Sequence, residues 1–112
     1  MATEEECRTA LESIARRLDT LDEATRKKHL VDRHITCHVT DLDVDIAMLL
    51  HTGGLEFADG REAPGAQVRI ELRSDDLVAL TDGRLPFTQA WLGGRAKIEA
   101  SVTDLLRLRH LL

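Results

Sequence analysis

The first 21 residues carry apolar side chains at the spacing of one helix face. Their separations alternate between four and three residues, which is the period of an amphipathic helix. Thr3 and Glu6 have the spacing of a capping box at its start. The apolar positions are Cys7, Leu11, Ile14, Leu18 and Leu21. We predict a helix over residues 3–21 that lies on a sheet of the same chain, in preference to a coiled coil of about two heptads.

The apolar period changes to two after a polar segment at residues 22–28, which suits a short helix or a loop. Alternation of apolar and polar residues is typical of a half-buried strand. Turn-forming residues separate the alternating segments. The predicted strands cover residues 34–40, 44–50, 55–58, 67–73 and 95–101.

Two short helices are predicted between the last two strands. Ser74 is followed by two aspartates, which is the pattern of a helix N-cap and its first turn. Pro86 suits the first position of a second helix. In that helix Phe87, Ala90 and Trp91 share one face.

The chain ends in an apolar helix that begins at Ser101 or Thr103. A helix of about 12 residues is marginal in isolation, and so apolar a segment would aggregate if it were exposed. Its apolar residues are Leu105, Leu106, Leu108, Leu111 and Leu112. We expect this helix to dock on the sheet, with Leu105 and either Leu106 or Leu108 facing inward.

The order of the elements predicts an α+β fold. Strands follow one another and helices cluster elsewhere, which favours a five-stranded, mainly antiparallel sheet with helices packed on one face. A length of 112 residues is typical of one domain, so we expect residues 1–112 to form a single unit. A chain of this size buries roughly two thirds of its unfolded surface, enough for one modest core.

Composition and charge narrow the choice of partner. The net charge is −5, and the aromatic residues are Phe57, Phe87 and Trp91. Few stacking rings and an acidic balance argue against a nucleic-acid partner and against a bulk attraction to anionic lipid. No apolar run approaches about 18 residues, so we expect at most a transient membrane contact.

The cysteines and the first residues of the chain indicate in which cellular compartment the protein is expected. The acidic start lacks the apolar segment of a secretory signal. Cys7 and Cys37 are then expected to be reduced thiols, buried as small core residues of a cytoplasmic protein. Twelve arginines against three lysines suggest a GC-rich bacterial genome.

Candidate catalytic and metal sites are sparse. His34 and His38 share a strand face but stand about 13 Å apart at 3.3 Å per residue, so we expect solvated side chains rather than zinc ligands. The aspartates at positions 41, 43 and 45 lack the glycine and the distal glutamate of a calcium loop. The sequence shows no Gly-x-Ser-x-Gly and no phosphate-binding loop. We therefore predict no catalytic residues, no metal and no cofactor.

Residues 68–112 resemble the second half of the sterol carrier protein type 2 domain. In both, a strand is followed by two short helices, a second strand and an apolar terminal helix. The matching blocks are Ser74–Leu77, Thr81–Leu85, Gln89–Leu92 and Gly94–Ile98. The resembling segment covers about 40% of the chain, and the first half matches as a helix followed by a meander.

The resemblance implies an apolar cavity enclosed between sheet and helices. It implies binding of an apolar small molecule, such as a fatty acyl chain or a sterol, without catalysis. The pocket residues it suggests are Met48, Leu77, Leu80, Phe87, Trp91, Ile98, Leu105, Leu106 and Leu108. The alternative is the same fold with a filled core, acting as an interaction module that docks a partner or forms a homodimer.

Overall fold

A computed structural model describes residues 1–58 and 67–111, with side chains as far as Arg109. The elements of this part of the chain are α1 (Glu4–Asp19), α2 (Glu23–His29), β1 (Arg33–Val39), β2 (Val44–His51), β3 (Gly54–Phe57), β4 (Val68–Leu72), α3 (Ser74–Thr81), α4 (Phe87–Leu92), β5 (Ala96–Glu99) and α5 (Val102–Leu111). The turn-forming residues at 59–60 and 62–65, between the third and fourth predicted strands, lie outside the described residues, as do the side chains of Leu111 and Leu112.

The five strands form one sheet in the order β3-β2-β1-β4-β5. β1, β2 and β3 make an antiparallel meander, and β5 pairs antiparallel with β4. β4 pairs with β1 in parallel, with Ile35 opposite Val68 and Val39 opposite Leu72. β4 takes the edge of β1 that the meander leaves free, so the sheet is mixed. The predicted α+β fold is confirmed, with this one parallel pair as a difference.

The two faces of the sheet differ in polarity, as the alternation of residues predicts. The inner face contains the most deeply buried positions, and Cys37, Val39 and Ile46 are each at most 1% exposed. Apolar residues of α1, α3, α4 and α5 belong to the same core cluster. Asp45 and Lys97 on the opposite face are exposed. The helices therefore cover one face.

Local hydrogen bonds fix the start of α1 and its link to α2. The predicted capping box is present: Glu6 N–H donates to Thr3 Oγ1, and Thr3 N–H donates to the Glu6 carboxylate, both at 3.1 Å. α1 ends at Asp19, two residues before the predicted end. The Arg26 side chain of α2 donates to the backbone oxygens of Asp19 and Leu21 and so holds the connection between the helices.

Ser74 is not the predicted N-cap. Arg73 holds that position of α3, without a side-chain cap, and Ser74 is the first helical residue and fully buried. The Ser74 hydroxyl donates to Asp41 Oδ2 at 2.7 Å and accepts from Ala2 N–H at 3.0 Å. Ser74 N–H donates to Asp41 Oδ1 at 2.8 Å. Hydrogen bonding to the Ser74 side chain also lowers the pKa of the Asp41 carboxyl. This network joins the segment before α1, the β1–β2 turn and α3.

The later helices begin within one residue of their predicted starts. Pro86 is the N-cap of α4 rather than its first residue, and its φ of −61° suits either position. Ser101 Oγ accepts from Asp104 N–H at 3.1 Å and caps α5 as predicted. Among the helices of the described residues, none combines the length and the apolar character that a bilayer span requires.

Both cysteines are core residues, as predicted. Cys7 and Cys37 are free thiols with 0% and 1% exposure. Burial raises the pKa of the Cys37 thiol to about 12 and also raises the pKa of Cys7. The thiolate is the reactive form of cysteine, so burial suppresses both access and ionisation.

We therefore predict that both thiols are protected in the folded protein. Reaction with a disulfide reagent such as DTNB should be slower by at least roughly two orders of magnitude in buffer than in denaturant, because it requires local opening. Absorbance of the released thiolate measures both rates. Fast labelling of either cysteine in buffer would contradict its placement in the core.

The Ser74 network supplies a second prediction. Ser74→Ala removes the hydroxyl that donates to Asp41 Oδ2 and accepts from Ala2 N–H, while the backbone bond to Asp41 Oδ1 remains. This loss costs about 1–3 kcal/mol of the free energy of unfolding. Ser13→Ala is the matched control, because the Ser13 hydroxyl donates to Ala10 O within α1 and is partly exposed. For this control, urea denaturation should show a change in the free energy of unfolding below about 0.5 kcal/mol. Equal losses in the two variants would contradict the role given to Ser74.

Candidate functional site

Apolar coverage of the inner sheet face is uneven. Leu72 of β4 and Ala96 of β5 are paired, and they are 2% and 3% exposed. The next inward pair, Ile70 and Ile98, is only partly buried. On the other side of Ile70, its β1 partner Cys37 is 1% exposed. Coverage therefore falls towards the β5 edge of the sheet.

α4 lies at the start of β5 and leaves large apolar side chains in solvent. Phe87 and Ala90 are buried. Trp91, which the helical spacing places on their face, is 40% exposed, and Leu92 is 75% exposed. α4 has six residues and ends at Leu92. The rest of the protein covers its first turn but not its last turn. Trp91 thus lies at the surface, although Phe87 and Ala90, with which it was predicted to share a helix face, are buried.

α5 follows the other end of β5. It buries a carboxylate and leaves large apolar side chains in solvent. Its buried residues are Asp104 and Leu108, with 5% and 8% exposure. Leu105 is partly buried, whereas Val102 and Leu106 are 74% and 52% exposed. Of the two alternatives predicted to face the sheet, Leu108 does so and Leu106 does not.

Asp104 holds α5 against β1. Its carboxylate accepts from Arg33 Nε at 3.1 and 3.2 Å and from Arg107 Nη1 at 2.9 Å. Burial alone would raise the pKa of the Asp104 carboxyl, but the hydrogen bonds from Arg33, Ser101 and Arg107 outweigh it and hold the pKa below its usual value. We call these four residues the Asp104 network.

The apolar pockets between sheet and helices are small. One lies under α5, with walls that include Ile35, Leu50, Val68 and Leu108, and has a volume of about 10 Å³. Another, of about 10 Å³, lies between α1 and the β2–β3 hairpin, beside Met48. Each holds at most one water molecule. The space beneath α5 is therefore apolar but closed in this conformation.

The larger grooves are open to solvent and have charged rims. A groove of about 510 Å³ between α1 and α3 is bordered by Glu5, Arg16 and Asp82, among other residues. A second, of about 380 Å³, is lined in part by Arg73 and Arg95. Open grooves of this kind leave an acyl chain in contact with water.

The structure divides the predicted pocket residues into three groups. Five are part of the core: Met48, Leu77, Leu80, Phe87 and Leu108. Ile98 and Leu105 are partly buried, and Trp91 and Leu106 are exposed. Trp91, Ile98, Leu105 and Leu106 belong to β5 or to the helices that precede and follow it in the chain. Met48 lies on β2, which β1 separates from β4.

Some residues of this region were missed by sequence reasoning. Asp104 and Arg107 are polar residues of an apolar helix, three positions apart, and that spacing is a detectable ion-pair signal. Arg33 is 71 residues from Asp104 in the sequence, and no local pattern links the two. The alternation along β4 places Ile70 on the inner face, but no local pattern indicates its partial exposure.

The histidines differ from one another in their surroundings. His34 is exposed, as predicted. The His38 side chain is 21% exposed, and its Nδ1 lies 2.6 Å from Asp45 Oδ1. His38 is thus paired rather than simply solvated. Within residues 1–58 and 67–109, no group of three histidine, cysteine, aspartate or glutamate side chains could hold a metal ion.

One similar solved structure is that of a much larger enzyme, of which only a part matches this chain. The sec-alkylsulfatase Pisa1 from Pseudomonas sp. matches with a TM-score of 0.64 and 27% sequence identity. The match covers 82% of this chain and 14% of the sulfatase. This chain therefore spans a small fraction of the length of that enzyme.

Two proteins from Aedes aegypti match over nearly their whole length. Sterol carrier protein 2 like 2 has a TM-score of 0.72 at 13% identity, over 96% of this chain and 97% of that protein. Sterol carrier protein 2 in complex with the C16 fatty acid palmitate has a TM-score of 0.67 at 18% identity, over 98% and 94%. At these identities the likeness establishes the fold alone.

The sequence itself assigns the family. Comparison with curated protein sequences finds no match. Residues 11–112 match the sequence profile of the SCP-2 sterol transfer family, which is nearly the whole chain and includes every strand and α2 to α5. The chain belongs to the SCP-2 sterol transfer family.

Proposed function

We propose that this protein binds a lipid with an acyl chain between the inner face of β4–β5 and the helices α4 and α5, without catalysis. The observation that carries the proposal is the partial exposure of the paired residues Ile70 and Ile98 beside a fully buried pair. Apolar surface left open within an otherwise closed core favours an apolar occupant.

Family membership and energetics support this ligand class. A relative of the same fold was solved with palmitate. Burying the chain of a C16 fatty acid contributes up to about 12 kcal/mol at about 0.8 kcal/mol per methylene. Association costs at least about 4 kcal/mol, which leaves at most about 8 kcal/mol, equivalent to micromolar affinity at best. The buried free cysteines fit a reducing compartment, and we place this activity in the cytoplasm.

Binding requires α5 to move. A pocket of about 10 Å³ under this helix cannot take an acyl chain. α5 is held by the Asp104 network and by the buried side chain of Leu108. Its exposed residues contribute little to docking, so the helix is attached at few points. We infer that it tilts away from the sheet and that the ligand packs on Ile70 and Ile98.

A second candidate function is an interaction module with a filled core. The small volume of the apolar pockets favours it. Native mass spectrometry of the purified protein discriminates the two functions. A co-purified lipid mass supports the first, and a lipid-free dimer supports the second.

The location of the site can be tested with Ile98→Thr. A hydroxyl at this position faces the acyl chain, and we expect palmitate affinity to fall about tenfold, or about 1.4 kcal/mol. Val44→Thr is the matched control, because Val44 is also β-branched and partly buried on the inner face but lies on β2 opposite Val39. The change in Trp91 emission during titration measures both affinities. Equal affinities in the two variants would contradict this location, and no binding by the unmodified protein would contradict the function.

The Asp104 network can be tested with Asp104→Asn. Loss of the carboxylate charge weakens the bonds from Arg33 and Arg107, so amide hydrogen exchange in α5 should accelerate at least roughly tenfold while the sheet stays protected. The control is Asp82→Asn, which removes a surface carboxylate bonded to Arg84.

The same loosening of α5 is expected at acid pH. The pKa of Asp104 is lowered in the folded protein, so its stabilisation is complete above the usual carboxyl range and is lost as pH falls through the lowered value. Unchanged exchange in α5 would contradict the role of this network.

A further inference from the structure

A groove at one end of the β4–β5 ladder has an excess of positive charge. Its volume is about 380 Å³, which lies within the range of small-molecule sites. Three cations and two carboxylates line it, a formal charge of +1 in a protein whose net charge is −5. These residues are Arg73, Arg95, Lys97, Glu71 and Asp76. We call this site the β4–β5 groove.

Two other grooves of comparable size have no such excess. The groove between α1 and α3 is lined by two arginines and three carboxylates, a formal charge of −1. A groove of about 370 Å³ lies beside the start of β1 and the end of β2. It is lined by one arginine and one aspartate, so it is formally neutral when its histidines are neutral. The positive charge of the β4–β5 groove is therefore a local property.

The strand pairing brings two arginines together in this groove. Leu72 of β4 pairs with Ala96 of β5. Arg73 directly follows Leu72, Arg95 directly precedes Ala96, and both arginines are exposed. Like charges on neighbouring strands repel each other. An anion bound between the two guanidinium groups would offset this repulsion.

One side of the Arg95 guanidinium is already held in place. Its Nη2 donates to Oδ1 of Asp76, a residue that is only 8% exposed. A guanidinium has five N–H donors, and the Arg95 side chain is 53% exposed, so donors remain for a ligand. Because Asp76 restricts this side chain before an anion arrives, binding costs less conformational entropy than it would at a free arginine.

The other two cations of the groove are available to a ligand. In the part of the chain that the structure describes, no ion pair or side-chain hydrogen bond engages Arg73 or Lys97. Arg73 is near enough to Asp41 to help lower the pKa of that carboxyl. Glu71 is opposite Lys97 in the ladder, but its carboxylate accepts from Arg69 Nε at 3.2 Å.

We propose that the β4–β5 groove binds the phosphate group of a small molecule. The planar guanidinium fork matches phosphate oxygens. Lys97 adds a point charge two residues along from Arg95, about 7 Å at 3.3 Å per residue. Lys97 and Ile98 are neighbours on β5 and point to opposite sheet faces, so this site is separate from the proposed lipid site and does not depend on it.

The test is an NMR titration of the isotopically labelled full chain at constant ionic strength. We expect saturable shifts of the backbone amides of Thr40, Arg73, Gly94 and Lys97, all of which line the groove. Inorganic phosphate and glycerol 3-phosphate are the probes, and acetate is the control that should leave these amides unshifted. Inorganic phosphate and phosphate esters share the proposed chemistry, and the probe with the lower dissociation constant identifies the source.

Charge variants separate a defined site from a general attraction. Arg73→Gln and Lys97→Gln should each raise the dissociation constant for the tighter probe at least roughly fivefold by removing a charge-assisted contact. Glu71→Gln should lower it at least roughly twofold, because it removes a negative charge from the groove. Arg16→Gln is the matched control, since it removes an equal charge from an exposed position on α1. It should leave the dissociation constant unchanged.

Three outcomes would overturn the proposal. The first is the absence of saturable shifts with both phosphate compounds, and the second is equal shifts with acetate. The third is an effect of Arg16→Gln as large as that of Arg73→Gln. Circular dichroism of each variant confirms that the fold is retained, and palmitate titration reports separately on the lipid site.

Discussion

The buried carboxylate of Asp104 connects the last helix to the sheet. Two guanidinium groups, of Arg33 and Arg107, and the Ser101 cap surround it. Such a network is strong when it is complete and costly when one partner is lost. Since Leu106 and Val102 point outward, α5 depends on this polar attachment and on Leu108 rather than on a broad apolar face.

For the proposed lipid function, the core must be stable and must also admit a ligand. A core packed to native density leaves no space for an acyl chain, and the pockets of about 10 Å³ agree with such packing. A ligand of this size must therefore displace part of the structure. An element attached at few points can leave the core while the sheet, with Cys37, Val39 and Ile46 at its centre, stays intact. The Ser74–Asp41 network holds the junction of β4 and α3 to the β1–β2 turn.

Local patterns in the sequence predict most of the elements, and the misses share a cause. Alternation along β1 and the capping box of α1 are properties of a few neighbouring residues, so they could be recognised. The parallel pairing of β1 with β4 joins residues more than 30 positions apart, and the role of Ser74 depends on Asp41, 33 positions away. Trp91 has the spacing of a buried residue, and its exposure follows from where α4 ends. The Asp104 network needs Arg33, which no periodicity links to α5.

The most direct test is a palmitate titration of the isotopically labelled protein followed by NMR chemical shifts of backbone amides and of the Trp91 indole. We predict that the largest changes occur at Ile70, Ile98 and Leu105 and at the Trp91 indole, with small changes around the pocket beside Met48. Changes confined to that second pocket, or to the groove between α1 and α3, would contradict the placement of the site. The absence of changes at a saturating concentration of palmitate would contradict lipid binding itself.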